Sequence, residues 1–125
     1  MSSEKELQDV INKIEGDMSG FIAASVVDLE SGMTLAARSA RSDFDLAVAS
    51  AYNSELVKQK MKIVKALGLK TNLEDILLTL GDQLHLIKIF PGGHTFLYLA
   101  ADRGSTNLAI VRNAVNRHVA TLQQQ

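Results

Sequence analysis

The chain has 125 residues, 46% of them hydrophobic and 22% charged, with a single proline; this suits one folded domain over residues 1–125 and excludes the polar, highly charged signature of disorder. A formal net charge of −1 offers no global positive field for phosphates, so no nucleic-acid partner is expected. The lack of cysteine removes disulfide frameworks, thiolate metal sites and cysteine nucleophiles, and with no leader-like start and no apolar run near the ~18 residues of a membrane span, the expected address is cytoplasmic without membrane insertion.

From Ser3 onward, Leu7, Val10, Ile11 and Ile14 follow the i, i+3, i+4, i+7 spacing, and Ser3 with Glu6 has the form of a capping box. This predicts a short amphipathic helix ending near Gly16. Phe21 to Leu29 is apolar on both alternating faces, with Ser25 its main interruption, as in a strand covered on both sides. Glu30-Ser31-Gly32 supplies turn chemistry before a second strand, Met33 to Arg38, and the two read as a hairpin. A long helix is predicted over Asp43 to Leu67, capped by Ser42 or Asp43 and closed by Gly68. Three more strands follow, Leu73 to Leu80, Gln83 to Phe90 and Thr95 to Ala101, parted by Gly81-Asp82 and by Pro91-Gly92-Gly93. Ser105 to Leu122 closes the chain as an amphipathic helix, with Leu108, Val111, Val115, His118, Val119 and Leu122 on one stripe.

The order helix, two strands, helix, three strands, helix gives an α+β sandwich built on one sheet, with no repeat and no linker. Leu84, Leu86 and Phe90 point one way from their strand, Ile87 and Ile89 the other, so both faces call for helical cover. The long helix has more apolar surface than one sheet face can use. Leu46, Ala49, Leu56, Ile63 and Leu67 make one stripe and Ala47, Val57, Met61 and Val64 a second, while Phe44, Val48 and Ala51 extend the apolar character round its first half. Either neighbouring loops cover the excess or a partner does. The strand Leu73 to Leu80 falls at an edge of the meander, and from Ile76 to Leu80 it carries no charge of the kind that normally blunts an edge. Together these features predict a homodimer, with Phe44, Val48, Ala51, Tyr52, Ile76, Leu77 and Leu78 as its interface.

Phe21 to Leu35 reads FIAASVVDLESGMTL, and it resembles the first hairpin of Roadblock-type dynein light chains and their bacterial relatives. Two later segments resemble that family in the same order: LEDILLTLGDQLHLIKI from Leu73, and FLYLAADRGSTNLAIVR from Phe96, which looks like the last strand, a polar loop and a helix opened by Asn107-Leu108. The resemblance implies a Roadblock/profilin-like αββαβββα sandwich: a five-stranded antiparallel sheet, one long helix on one face and two on the other, with dimerisation through that helix and the adjacent edge strand. It also implies a non-catalytic signalling scaffold that partners or regulates a Ras-like small GTPase, a role that in the family extends to GTPase activation. The turn Asp28 to Gly32 is one or two residues longer than the tightest turn of the family.

Chemistry of other kinds finds no foothold. His85, His94 and His118 lack the short spacing of metal ligands, so neither metal nor cofactor is expected. Pro91-Gly92-Gly93 lacks the lysine and following helix of a phosphate loop, and no nucleophile elbow is present, so an enzyme is not expected. Glu74-Asp75 reads as solvated surface, because adjacent side chains on a strand point apart. Lys58, Lys62 and Lys65 share one helical face, which is either simply solvated or a dock for an acidic partner. A second function remains open, a small-molecule sensor with a pocket between sheet and helices, where Ala23, Ala24 and Ser25 leave room.

Overall fold

The computed structural model describes residues 2–124, with side chains as far as Leu122. It contains α1 (Glu4–Gly16), β1 (Phe21–Asp28), β2 (Thr34–Ser39), α2 (Leu46–Ala66), β3 (Asp75–Thr79), β4 (Gln83–Ile89), β5 (Thr95–Asp102) and α3 (Leu108–Val119), which runs into a short 3-10 turn, Ala120–Gln124. All five strands form one antiparallel sheet in the order β2-β1-β5-β4-β3. The order of elements is the expected one, and β2 and β3 are the edges.

Alternation along the central strands divides the core into two. Leu86, Leu97, Leu99 and Val26 meet α1 and α3, which contribute Leu7, Ile11, Ile14, Val111 and Val115. Ile87, Ile89, Phe96 and Tyr98 meet α2, whose Val57 is fully buried. One long helix on one face and two on the other is therefore the observed arrangement.

Local chemistry sets the boundaries. Ser3 and Glu6 form the reciprocal capping box of α1, with Ser3 Oγ accepting from the Glu6 amide at 3.2 Å and Glu6 Oε1 from the Ser3 amide at 3.0 Å. At the other end of α2, Gly68 adopts φ +69, and the amides of Gly68 and Leu69 donate to the carbonyls of Lys65 and Val64, a Schellman closure that needs a left-handed residue. The start of α2 differs from the sequence reading. Its cap is Asp45, whose carboxylate accepts from the Val48 amide at 3.1 Å, so the helix begins after Phe44 and not at Asp43. Phe44 instead turns down onto the sheet, its ring 6.4 Å from that of Tyr98 and 6.3 Å from that of His85. Burying an aromatic ring there outweighs one more turn of helix.

A second correction concerns Asp75. It is not solvated surface but is held by a two-pronged contact from Arg112 of α3, at 2.9 and 3.0 Å, which ties that helix to the edge strand β3. Ala23, Ala24 and Ser25 leave no room between the layers. All three are fully buried; Ala24 packs in the core under α1 and α3, while Ala23 and Ser25 face α2, where Ser25 Oγ lies 3.2 Å from Ser50 Oγ, so these small side chains admit the helix.

Candidate interaction surface

α2 lies over β1 and β2 and leaves the β3 side of its sheet face open. Ser50 and Ser54 face inward: Ser50 Oγ meets Ser25 and accepts from Thr34 Oγ1 at 3.1 Å, and Ser54 Oγ donates back to the Ser50 carbonyl at 3.0 Å. This hydroxyl cluster draws α2 close to the β1–β2 hairpin, where a Cβ on Gly32 would come within 3.8 Å of Ala51 Cα. Lys58 lies on the same flank, its Nζ donating to the Glu30 carbonyl at 3.0 Å and pairing with Glu55 at 3.5 Å. One flank of α2 thus belongs to the hairpin.

The helical period puts Ala49, Leu56, Ile63 and Leu67 on the flank away from the hairpin. Leu56 and Ala49 pack partly on the core, whereas Ile63 is 40% and Leu67 67% exposed. On the outer face, Val48 is 50% and Tyr52 75% exposed. Across the open side runs β3. Ile76 pairs with Ile87 and Leu78 with His85, so both project to the α2 face, where each is half-buried. Among the described residues nothing pairs with the outer edge of β3. A trough results, with the apolar flank of α2 on one side and an unblunted strand on the other.

Only part of the expected interface converges on this trough. Ile76 and Leu78 border it, whereas Val48 and Tyr52 lie on the outer face of α2, Tyr52 beside the hairpin residues Glu30 to Gly32. Phe44 lies at its end, half-buried under the lead-in to α2. Ala51 is exposed but sits on the hairpin flank, and Leu77 pairs with Leu86 and projects to the α1 and α3 face. Ile63 and Leu67 were named for their stripe but not as interface. Their signal was present, because a stripe that outruns the sheet beneath it has no intramolecular partner at its far end. Lys62 and Lys65 are exposed beyond Lys58, which keeps the three lysines on one flank, opposite the trough.

A polar cluster closes the floor beside Phe44. Tyr98 Oη lies 3.1 Å from His85 Nδ1, and His85 Nε2 lies 2.7 Å from Gln83 Oε1. With Gln83 accepting, Nε2 carries the proton and Nδ1 accepts from the tyrosine. Burial lowers the His85 pKa from its usual range against the opposing pull of Asp82, and burial pushes the Tyr98 phenol up to about 12. The cluster is neutral at physiological pH and suits an apolar neighbour. Among the described residues there is no group of three metal-ligating side chains and no helix long and apolar enough to cross a membrane.

No family model and no curated protein matches the sequence. Solved structures do match in fold. Myxococcus xanthus MglB superposes with a TM-score of 0.86 at 13% identity, over 99% of this chain and 90% of that one. An MglB structure described as having a tetrameric arrangement gives 0.82 at 16%, over 99% and 90%. A Roadblock/LC7 domain from Streptomyces avermitilis gives 0.81 at 15%, over 98% and 97%. The chain has the Roadblock/LC7 fold.

Proposed function

We propose that the chain, residues 1–125, is a single Roadblock-type domain that works in the cytoplasm as a non-catalytic homodimeric scaffold, partnering or regulating a Ras-like small GTPase. The observation that carries the dimer is the trough: an edge strand uncharged from Ile76 to Thr79, with Ile76 and Leu78 half-buried, beside a helix flank on which Ile63 and Leu67 stay exposed. A second copy related by a two-fold axis brings the same strand and flank to the same place, completing the sheet and covering both. The tetrameric arrangement described for an MglB structure of this fold supports self-association. Support for a GTPase comes from the three segments that resemble Roadblock-type proteins and from the fold. Lys58, Lys62 and Lys65, on the flank opposite the trough, stay accessible in such a dimer and form a dock for an acidic partner surface, which speeds encounter more than it tightens binding.

Two measurements test this separately. Sedimentation of the purified chain reads the dimer, and a monomer at all micromolar concentrations would refute it. Affinity capture from lysate, with GDP or a non-hydrolysable GTP analogue, reads the partner. Nucleotide-dependent recovery of a small GTPase is expected, and recovery of the chain alone would refute the GTPase assignment while leaving the dimer.

A further inference from the structure

On the other face of the sheet, α1 and α3 are pulled toward opposite edges. Gln8 Oε1 of α1 accepts from the Ala37 amide of β2 at 3.4 Å, and Glu15 pairs with Arg38 at 2.9 Å. α3 is held toward β3 by the Arg112 fork on Asp75. At the far end of α1 the two helices are joined again, where Asp17 Oδ2 takes Arg117 at 2.9 Å and His118 at 2.6 Å. Between these ties, where β1 ends and β5 begins, a cleft of about 690 Å³ remains. Sites for small molecules run from roughly 300 to 1,000 Å³.

Its walls are apolar: Leu7 of α1, Leu35 of β2, Phe90 before the β4–β5 turn, and Val119 and Leu122 at the end of α3. Leu35 is there because of a β-bulge. Val26 pairs with Ala36 and Val27 with Thr34, which leaves Leu35 as the unpaired residue whose side chain the bulge re-aims. Neither helix can move in to close the gap without breaking a tie to its own edge strand.

The mouth is acidic. Asp28 and Glu4 both border it, together with His94. Asp28 Oδ2 accepts from the Ser31 amide at 3.0 Å and from Ser31 Oγ at 2.7 Å, which keeps the carboxyl ionised, below the usual carboxylate range. Its Oδ1 takes no hydrogen bond among the described residues. Two basic side chains face this carboxylate, His94 and Lys58, and the ammonium of Lys58 is already held by the Glu30 carbonyl and Glu55. An acidic ligand would meet two carboxylates here. A cationic head finds a fixed anion with a free oxygen.

We propose that this cleft binds a small amphiphilic amine, its apolar body between Leu7, Leu35, Phe90 and Leu122 and its ammonium on Asp28. The site is independent of the trough on the α2 face, so the failure of one assignment leaves the other standing. The test is an amide NMR titration of the full chain with three probes on one skeleton: 2-(1-naphthyl)ethylamine, the matching alcohol and 1-naphthaleneacetate. The amine should give saturable shifts at Leu7, Leu35, Thr95 and Leu122, with the alcohol and acid weaker by about tenfold, the worth of one charge-assisted contact. Asp28→Asn retains an acceptor for Ser31 and should weaken the amine by a similar factor. Leu35→Trp, which fills the cleft from a partly exposed position, should abolish the shifts while leaving the circular dichroism and melting unchanged. Equal affinity for all three probes, shifts confined elsewhere, or amine binding that survives both substitutions would overturn the proposal.

Discussion

Replacing Ile76 and Leu78 together by lysine should separate self-association from folding. Each side chain is half-buried in the single chain. Full burial of an Ile or Leu is worth about 2 kcal/mol, so roughly 1 kcal/mol per side chain remains to be gained when a second copy covers it. Two-fold symmetry counts both residues twice, which gives about 4 kcal/mol, or a dissociation constant raised about a thousandfold. Two lysines on the strand edge add a desolvation penalty in the same direction. Within one chain the loss is about 2 kcal/mol against a usual 5–15, so the variant should stay folded. Sedimentation velocity over a concentration series, with circular dichroism as the folding control, reads both quantities. A folded variant that associates as tightly as the parent would refute the placement of the interface on β3, and Ile63→Lys would then be expected to do nothing either.

Other consequences are local. His85 has its pKa lowered by burial, so the folded chain binds that proton less readily than the unfolded one; the contribution is complete above the ordinary value of 6.5 and is lost as pH falls toward the folded value. His85→Gln should flatten that acid limb in a pH series of urea titrations, and an unchanged limb would refute the assignment. Ser50→Ala leaves the fully buried Ser25 hydroxyl without its partner and should cost about 1–3 kcal/mol by urea denaturation. Adding Ser25→Ala should recover part of that loss, and strict additivity would show that the two do not interact. Asp75→Asn weakens the tie to Arg112; because that pair is partly exposed, the expected loss is about 1 kcal/mol, read as a lower melting temperature that high salt makes smaller. Lys58→Glu with Lys62→Glu should slow association with the proposed small-GTPase partner at low salt, and unchanged association rates would remove the lysine dock.

Periodicity carried most of the architecture because it reports how many faces of an element are covered. The two-faced run from Ile22 to Val27 and the split of Leu86 from Ile87 required a sheet with helices on both sides, and that is what forms. Capping and glycine signals placed the start of α1 and the end of α2 where a single residue type controlled them, at Ser3 and Gly68. They misplaced the start of α2, where Ser42, Asp43 and Asp45 all have capping chemistry. The choice among them is made by Phe44, whose ring is taken by Tyr98 and His85 from two distant strands. The tie between Asp75 and Arg112 was illegible for a related reason: it spans 37 residues and depends on which face of β3 meets α3. So was the sidedness of α2. A helical wheel shows that too much of the helix is apolar, but only Gly32 against Ala51 and Lys58 on Glu30 show which flank the hairpin already occupies.

The two faces of the sheet are sealed to different degrees, and the difference follows from where the polar ties lie. α1 and α3 bury four residues each, every one of them apolar, and are fastened by Glu15, Arg112 and Asp17. α2, at 21 residues the longest helix, has only Ser50, Ser54 and Val57 fully buried, and two of these are spent on a hydroxyl cluster that fixes its distance to one hairpin. A helix held by one hairpin through short polar contacts keeps a defined orientation while leaving its other flank uncommitted. That is the arrangement expected where final cover comes from another copy, as in the proposed dimer: the single chain sets the geometry of the trough with serines and leaves Ile63, Leu67, Ile76 and Leu78 incompletely covered.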